Sequence, residues 1–256
     1  MNAPDLAYHL EGADDAPVVV LASAIATDMR MWNPQRAVLS QDFRVLRYDQ
    51  RGHGGSPTPP GPYRIDDLGT DLVGLLDRLE IERAHVCGVS LGGMVGMWMG
   101  IHAPERVDRL VLACTAPERG PADRWHQRAR QARESGLESM ADDAVSRWIS
   151  SELPEERAGD LALLREMFVG TDEAGYAACC EAIGGMDFRD ALHRVVAPTL
   201  VISGGNDPAV PIEDARALAE AIPGARHVNI ADASHLANVD AAETFNELVL
   251  QHLRGS

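Results

Sequence analysis

The sequence predicts an α/β architecture: a mainly parallel central sheet flanked by helices and interrupted by an inserted helical cap. Three observations carry this. Short apolar runs alternate with stretches at helical spacing, the order that parallel strands and their crossover helices produce. A glycine-rich turn, Gly88-Val89-Ser90-Leu91-Gly92, joins one such run to a helical stretch. Between about Pro117 and Leu192 the strand-like runs stop, and they resume at Thr199.

Val18 to Leu21 reads as a buried strand after the turn-like Asp14-Asp15-Ala16-Pro17. Phe43 to Tyr48 is a second strand, closed by the glycine-rich segment Asp49 to Gly55 and followed by a loop with Pro57, Pro59, Pro60 and Pro62. Ile65, Leu68, Leu72, Leu75, Leu76 and Leu79 recur at the spacing of an amphipathic helix. Ala84 to Val89 is a strand that runs into an abrupt turn, with a helix from about Leu91, and Leu110 to Ala113 is a further buried strand. The next segment is helical and rich in charge, as in Arg124-Trp125-His126-Gln127-Arg128. Strands return at Thr199 to Ser203 and His227 to Ile230, with a helix from Asp214 to Ala221 between them and a closing helix from about Ala241 to Leu253. Residues 1–116 and 193–256 are therefore expected to form one core, and 117–192 a cap inserted into it.

At 256 residues, 45 % apolar and 24 % charged, the chain is long enough for one large soluble domain. The net charge of -16 argues against binding to nucleic acid or an anionic membrane. Lysine is absent altogether, which excludes Schiff-base chemistry and a phosphate-binding P-loop. Cys87, Cys114, Cys179 and Cys180 lack zinc-site spacing and are expected to be reduced thiols. Residues 1–12 have neither a basic nor an apolar leader region, and no apolar run approaches the roughly 20 residues that span a bilayer. A cytoplasmic location is expected.

The chemistry is concentrated around Ser90. Gly88 and Gly92 give the pattern G-x-S-x-G between a predicted strand and a predicted helix, the context in which the pattern has meaning. So tight a turn needs neighbours without side chains two before and two after the serine. It also sets the hydroxyl near a helix N-terminus, which favours developing negative charge. A serine hydroxyl needs a base to become a nucleophile. Of nine histidines, His235 lies just after the last predicted strand, the place that the chain order Ser…Asp…His requires. Asp207, in the loop after the strand before last, is the expected orienting acid. Asp232 is its rival, but it lies three residues before His235 and is expected to shape that loop instead. The other place for an acid, after the strand ending near Ala113, holds Cys114, Thr115 and Ala116, none of them a carboxylate. His53 is expected to support backbone, and Cys87 to pack.

These residues together resemble the α/β-hydrolase superfamily. Thr27-Asp28 with Met31-Trp32, Val45 to Asp49 leading into Arg51-Gly52-His53-Gly54, and Gly61-Pro62-Tyr63 resemble the bacterial 3-oxoadipate enol-lactonases in particular. The resemblance implies the α/β-hydrolase fold and a lactone- or ester-opening acyl transfer through Ser90, His235 and Asp207. The backbone N–H groups of Ile25 and Leu91 would form the oxyanion hole. It also implies that no metal or organic cofactor is needed. Those lactonases tend to carry Asn-Ser and a glycine where this chain has Ser23-Ala24-Ile25-Ala26, although backbone donors need no particular side chain. The expected partner is a small anionic lactone or ester. A cation must then receive its carboxylate, and the insertion offers Arg124, Arg128, Arg130 and Arg133 with no acidic residue among them, Arg124 and Arg128 standing one helical turn apart beside Trp125. Alternatives on the same fold are another ester, thioester or carbon–carbon bond hydrolase, a cofactor-free perhydrolase, and a ligand-binding protein without turnover.

Overall fold

A computed structural model describes residues 4–150 and 158–255. Residues 1–3 and 256 of the expected core, and 151–157 of the expected cap, lie outside the described residues. Seven strands form one sheet in the order β1-β3-β2-β4-β5-β6-β7. They are β1 (Tyr8–Glu11), β2 (Val18–Ala22), β3 (Arg44–Tyr48), β4 (Ala84–Val89), β5 (Val107–Ala113), β6 (Thr199–Gly204) and β7 (Arg226–Ile230). Only β1 runs antiparallel, against β3; every other neighbouring pair is parallel.

The helices are α1 (Asn33–Leu39), α2 (Ile65–Arg78), α3 (Leu91–His102), α4 (Ala122–Ser135), α5 (Ala141–Val145), α6 (Ala158–Gly170), α7 (Glu173–Gly184), α8 (Ile212–Ala221), α9 (Ala237–Asp240) and α10 (Ala242–Arg254). β4 and β6 are buried along their whole length, as strands covered on both faces must be, and this is why their sequences are mostly apolar, with only His85, Thr199 and Ser203 polar. In α2 the predicted stripe of Ile65, Leu68, Leu72, Leu75 and Leu76 is buried, while Leu79 falls just past the last turn. Two elements escape the pattern: β1 is a four-residue edge strand with no buried residue, and α1 is a seven-residue helix with Pro34 in its first turn.

Between β5 and β6 the chain makes one helical excursion, α4 to α7. Its two ends meet, for the Phe188 N–H donates to the Pro117 carbonyl at 2.9 Å and Glu118 bridges to Asp187. The strand order reverses between β2 and β4: the chain leaves β2 towards β3 on one side and returns to β4 on the other. Loops leaving the carboxyl ends of these two strands diverge and open a crevice, the usual binding place in such sheets. Ile25 follows β2 and Ser90 follows β4, so both lie at this crevice.

Candidate active site

Ser90 sits at the top of β4 with φ 55° and ψ -115°, a left-handed conformation that a side chain adopts only under constraint. The constraint is the strand-to-helix turn. A Cβ on Gly88 would lie 2.1 Å from the Gly92 carbonyl oxygen, and one on Gly92 would lie 1.9 Å from that of Ala22. The Ser90 N–H donates to the Ala113 carbonyl at 2.9 Å, and the Thr115 hydroxyl to the Ser90 carbonyl at 2.9 Å. The Ser90 backbone is thereby tied to the end of β5 and to the residue two beyond it.

Ser90 Oγ lies 3.0 Å from His235 Nε2, and His235 Nδ1 lies 2.9 Å from Asp207 Oδ2. The Asp207 side chain is fully buried, and its other oxygen accepts the N–H groups of Ala209 at 2.7 Å and Val210 at 3.0 Å. An ionised carboxylate only accepts hydrogen bonds, so His235 must carry its proton on Nδ1. Nε2 is then left to accept from the Ser90 hydroxyl. The three residues of the predicted triad, from three separate loops, are thus brought into one hydrogen-bonded chain.

Asp232 is exposed. The histidine loop is shaped instead by Asp240 of α9, which accepts the Ser234 N–H at 2.7 Å. The expectation for Asp232 therefore fails, because a short helix brings a later acid under the loop. The insertion grips the same loop from above: the Leu236 N–H donates to the Trp148 carbonyl at 2.7 Å. Cys114 lies buried beside Ser234, and burial pushes its thiol far above the ordinary range. Cys87 is fully buried in β4.

A narrow cavity of about 70 Å³ opens over the serine, lined by Ile25, Ser90, Met94 and His235 from the core. Arg119, Arg124, Trp125, Arg128, Arg147 and Trp148 line it from the insertion. The predicted Arg124, Trp125 and Arg128 are all present, and no carboxylate is among the lining residues. Arg128 bonds to the Tyr176 hydroxyl, whereas Arg130 is exposed and Arg133 pairs with Glu181 at 2.7 Å. His126 lines a different groove with His102 and Phe188.

Sequence reasoning missed Arg119 and Arg147. Arg119 is nine-tenths buried, donates to the Ala209 carbonyl and has its nearest carboxylate, Asp214, at 4.0 Å. Burial pulls its guanidinium below the usual arginine value, against the pull of Asp207 and Asp214. Together with Arg124, Pro208 and Ala209 it also lines an outer cleft of about 560 Å³. Its signal in the sequence was position alone: it lies six residues past the end of β5, where the chain enters the cap.

The family model described as the alpha/beta hydrolase family matches residues 19–248. The chain belongs to this family. As an alpha/beta hydrolase it is 39 % identical over 251 residues to 3-oxoadipate enol-lactonase 2 of Acinetobacter baylyi, covering 97 % of this chain and 94 % of that one. Among solved structures, the enol-lactonase of Burkholderia xenovorans LB400 matches with a TM-score of 0.95 at 42 % identity, over 98 % of both chains. A thermophilic esterase from Thermogutta terrifontis matches with a TM-score of 0.91 at 27 % identity, over 97 % of this chain and 93 % of that one. This hydrolase is therefore similar to both lactonases and esterases over nearly its whole length. No described helix is long and apolar enough to cross a membrane.

Proposed function

We propose that this hydrolase opens a small lactone bearing a carboxylate, with 3-oxoadipate enol-lactone as the substrate the site suits best. The observation that carries the reading is a hydrogen-bonded Ser90–His235–Asp207 chain facing a cavity with four arginines and no carboxylate, in a protein of net charge -16. Such a local reversal of charge gathers an anion that the rest of the surface repels. Similarity to enol-lactonases at about 40 % identity supports the same substrate.

In this reading His235 Nε2 takes the Ser90 proton as Oγ attacks the lactone carbonyl. The tetrahedral oxyanion accepts from the Ile25 and Leu91 N–H groups. Leu91 opens α3, whose first amides have no intrahelical acceptor. The Ile25 amide has no protein acceptor among the described residues. One such donor is worth about 3 kcal/mol in the transition state. Collapse breaks the ring C–O bond, and the enolate oxygen leaves with the proton from His235. A water deprotonated by His235 then attacks the acyl-enzyme and frees the acid and Ser90. The released enol becomes a ketone, which draws the ring opening forward. Arg124 and Arg128 hold the substrate carboxylate beside Trp125, and Arg119 stands at the neck between cavity and cleft.

Loss of the enol-lactone absorbance is the test, followed with the wild-type protein, Ser90→Ala and a short-chain aryl ester in parallel. Fast lactone opening, slow ester cleavage and a drop of at least about 10⁴-fold in Ser90→Ala are expected. Ester cleavage without lactone opening would keep the nucleophile and discard the substrate.

A further inference from the structure

We infer that His53 is a positioning residue for the oxyanion hole, at the centre of a clamp by which the Asp49–Ser56 loop sets the Ile25 amide. The inference rests on Ile25 being an oxyanion donor, as proposed above. Three side chains of the Asp49–Ser56 loop reach across to the loop that follows β2. Gln50 Nε2 donates to the Ser23 carbonyl at 2.5 Å, the Ala26 N–H donates to His53 Nε2 at 2.9 Å, and the Met29 N–H donates to Asp49 Oδ1 at 2.7 Å. These attachments stand on both sides of Ile25. Within the loop itself, the Ala24 N–H faces Met31 Sδ at 3.3 Å and the Thr27 N–H donates to the Ala24 carbonyl at 3.3 Å. The amides of Ala24, Ala26, Thr27 and Met29 are therefore occupied, and that of Ile25, on the cavity wall, is left for a ligand.

The His53 bond falls where the loop most needs it. Ala26 has φ 57°, a left-handed conformation that favours glycine and that alanine holds only when its surroundings impose it. His53 itself has no freedom to drift. It is buried, and its Nδ1 lies 3.0 Å from the Arg51 carbonyl, so that nitrogen carries the proton and Nε2 is a pure acceptor. The Arg51 guanidinium is locked onto Asp71 of α2 by two bonds, of 2.5 and 2.7 Å. From the other side Gly175 of α7 packs so closely on Gly52 that a Cβ there would lie 2.5 Å from the Gly175 Cα. The clamp is thus anchored to the core and covered by the insertion, and neither Ser90 nor His235 takes part in it.

The experiment compares His53→Leu, which removes the acceptor, with His53→Gln, whose amide oxygen restores one. Both are assayed for kcat and KM on an aryl ester and for the inhibition constant of phenylboronic acid, whose serine adduct places an oxygen in the oxyanion position. His53→Leu should lower kcat by about 10–100-fold, with KM changed by less than about threefold and the boronate weakened in parallel. His53→Gln should return to within about fivefold of wild type. A kcat for His53→Leu within about threefold of wild type, a loss confined to KM, or no rescue by glutamine in a folded protein would overturn the inference. Ile25→Pro, which deletes the amide, separates the two levels. If it keeps wild-type kcat, the Ile25 donor falls and the clamp with it; if it loses kcat while His53→Leu does not, only the clamp falls. Should His53→Leu fail to melt cooperatively, Gln50→Leu stands in for it. A fall in kcat of less than about fivefold in that variant would equally overturn the clamp.

Discussion

The floor and the roof of the cavity are built differently. On the floor, Ser90, Asp207 and His235 stand on turns whose backbone groups are held by hydrogen bonds, and the bonds between the three side chains are 2.9 to 3.0 Å. The roof is made of long side chains from the insertion: Arg119, Arg124, Arg128, Arg147 and two tryptophans. A reacting atom tolerates little displacement, so backbone rigidity suits the floor. A carboxylate can be met by charge from several directions, so long cationic side chains suit the roof. Damage to the floor should accordingly appear in kcat or in folding, and damage to the roof in KM.

The largest break is expected from Asp207→Asn. It keeps the shape of the acid but offers His235 the wrong partner for its Nδ1 proton, and kcat should fall by about 10⁴-fold with KM little changed. Next comes Gly92→Ala, whose Cβ would sit 1.9 Å from the Ala22 carbonyl. A backbone overlap of that depth should cost about 3 kcal/mol or more, visible as a fall in the melting temperature or as insoluble protein. A roof substitution should act more gently. Arg128→Met is expected to raise KM for an anionic lactone by about tenfold or more and to leave kcat for a neutral ester within about twofold. If both substrates suffer alike, Arg128 packs the roof and does not receive charge.

The smallest effect lies under the sheet and tests whether the floor's support is sensitive to acid. His252 of α10 is buried against the Pro198 carbonyl at 3.1 Å, and burial pushes it down to about 4. The unfolded chain binds that proton near 6.5, so between pH 6.5 and 4 the unfolded state holds more protons than the folded one. Stability should therefore fall as the pH drops through that window. A melting curve of His252→Gln should show a shallower decline than the wild type, and an identical decline would remove His252 as its source.

Much of the floor was legible in the sequence because its constraints are local. Gly88 and Gly92 mark a turn that only glycine allows, and the mostly apolar runs of β4 and β6 mark strands buried on both faces. Asp207 and His235 followed from chain order. What stayed hidden depends on contacts that no local pattern marks. β1 is a short edge strand with no buried residue, so its pairing with β3 leaves no apolar alternation to read. Asp240 takes over the histidine loop because α9 folds back beneath it, whereas Asp232 is nearer in sequence and turns to solvent. Arg119 and Arg147 look like any other arginine among 23 until the insertion closes over the serine. His53 could be read as a backbone support, but not which amide it would hold.

The insertion leaves and rejoins the core at a single pinch, where Phe188 meets Pro117 and Glu118 meets Asp187. Two chain crossings a few ångströms apart make the roof an exchangeable cassette. A different helical excursion spliced between Pro117 and Phe188 would leave the register of β5 and β6 undisturbed. It would keep the serine turn and the Asp207 loop beneath a new set of cations, acids or apolar walls, provided it again supplied the carbonyl that Trp148 offers to the Leu236 N–H. Substrate range can then diverge by replacing one contiguous stretch of gene, without renegotiating the turn that holds the serine.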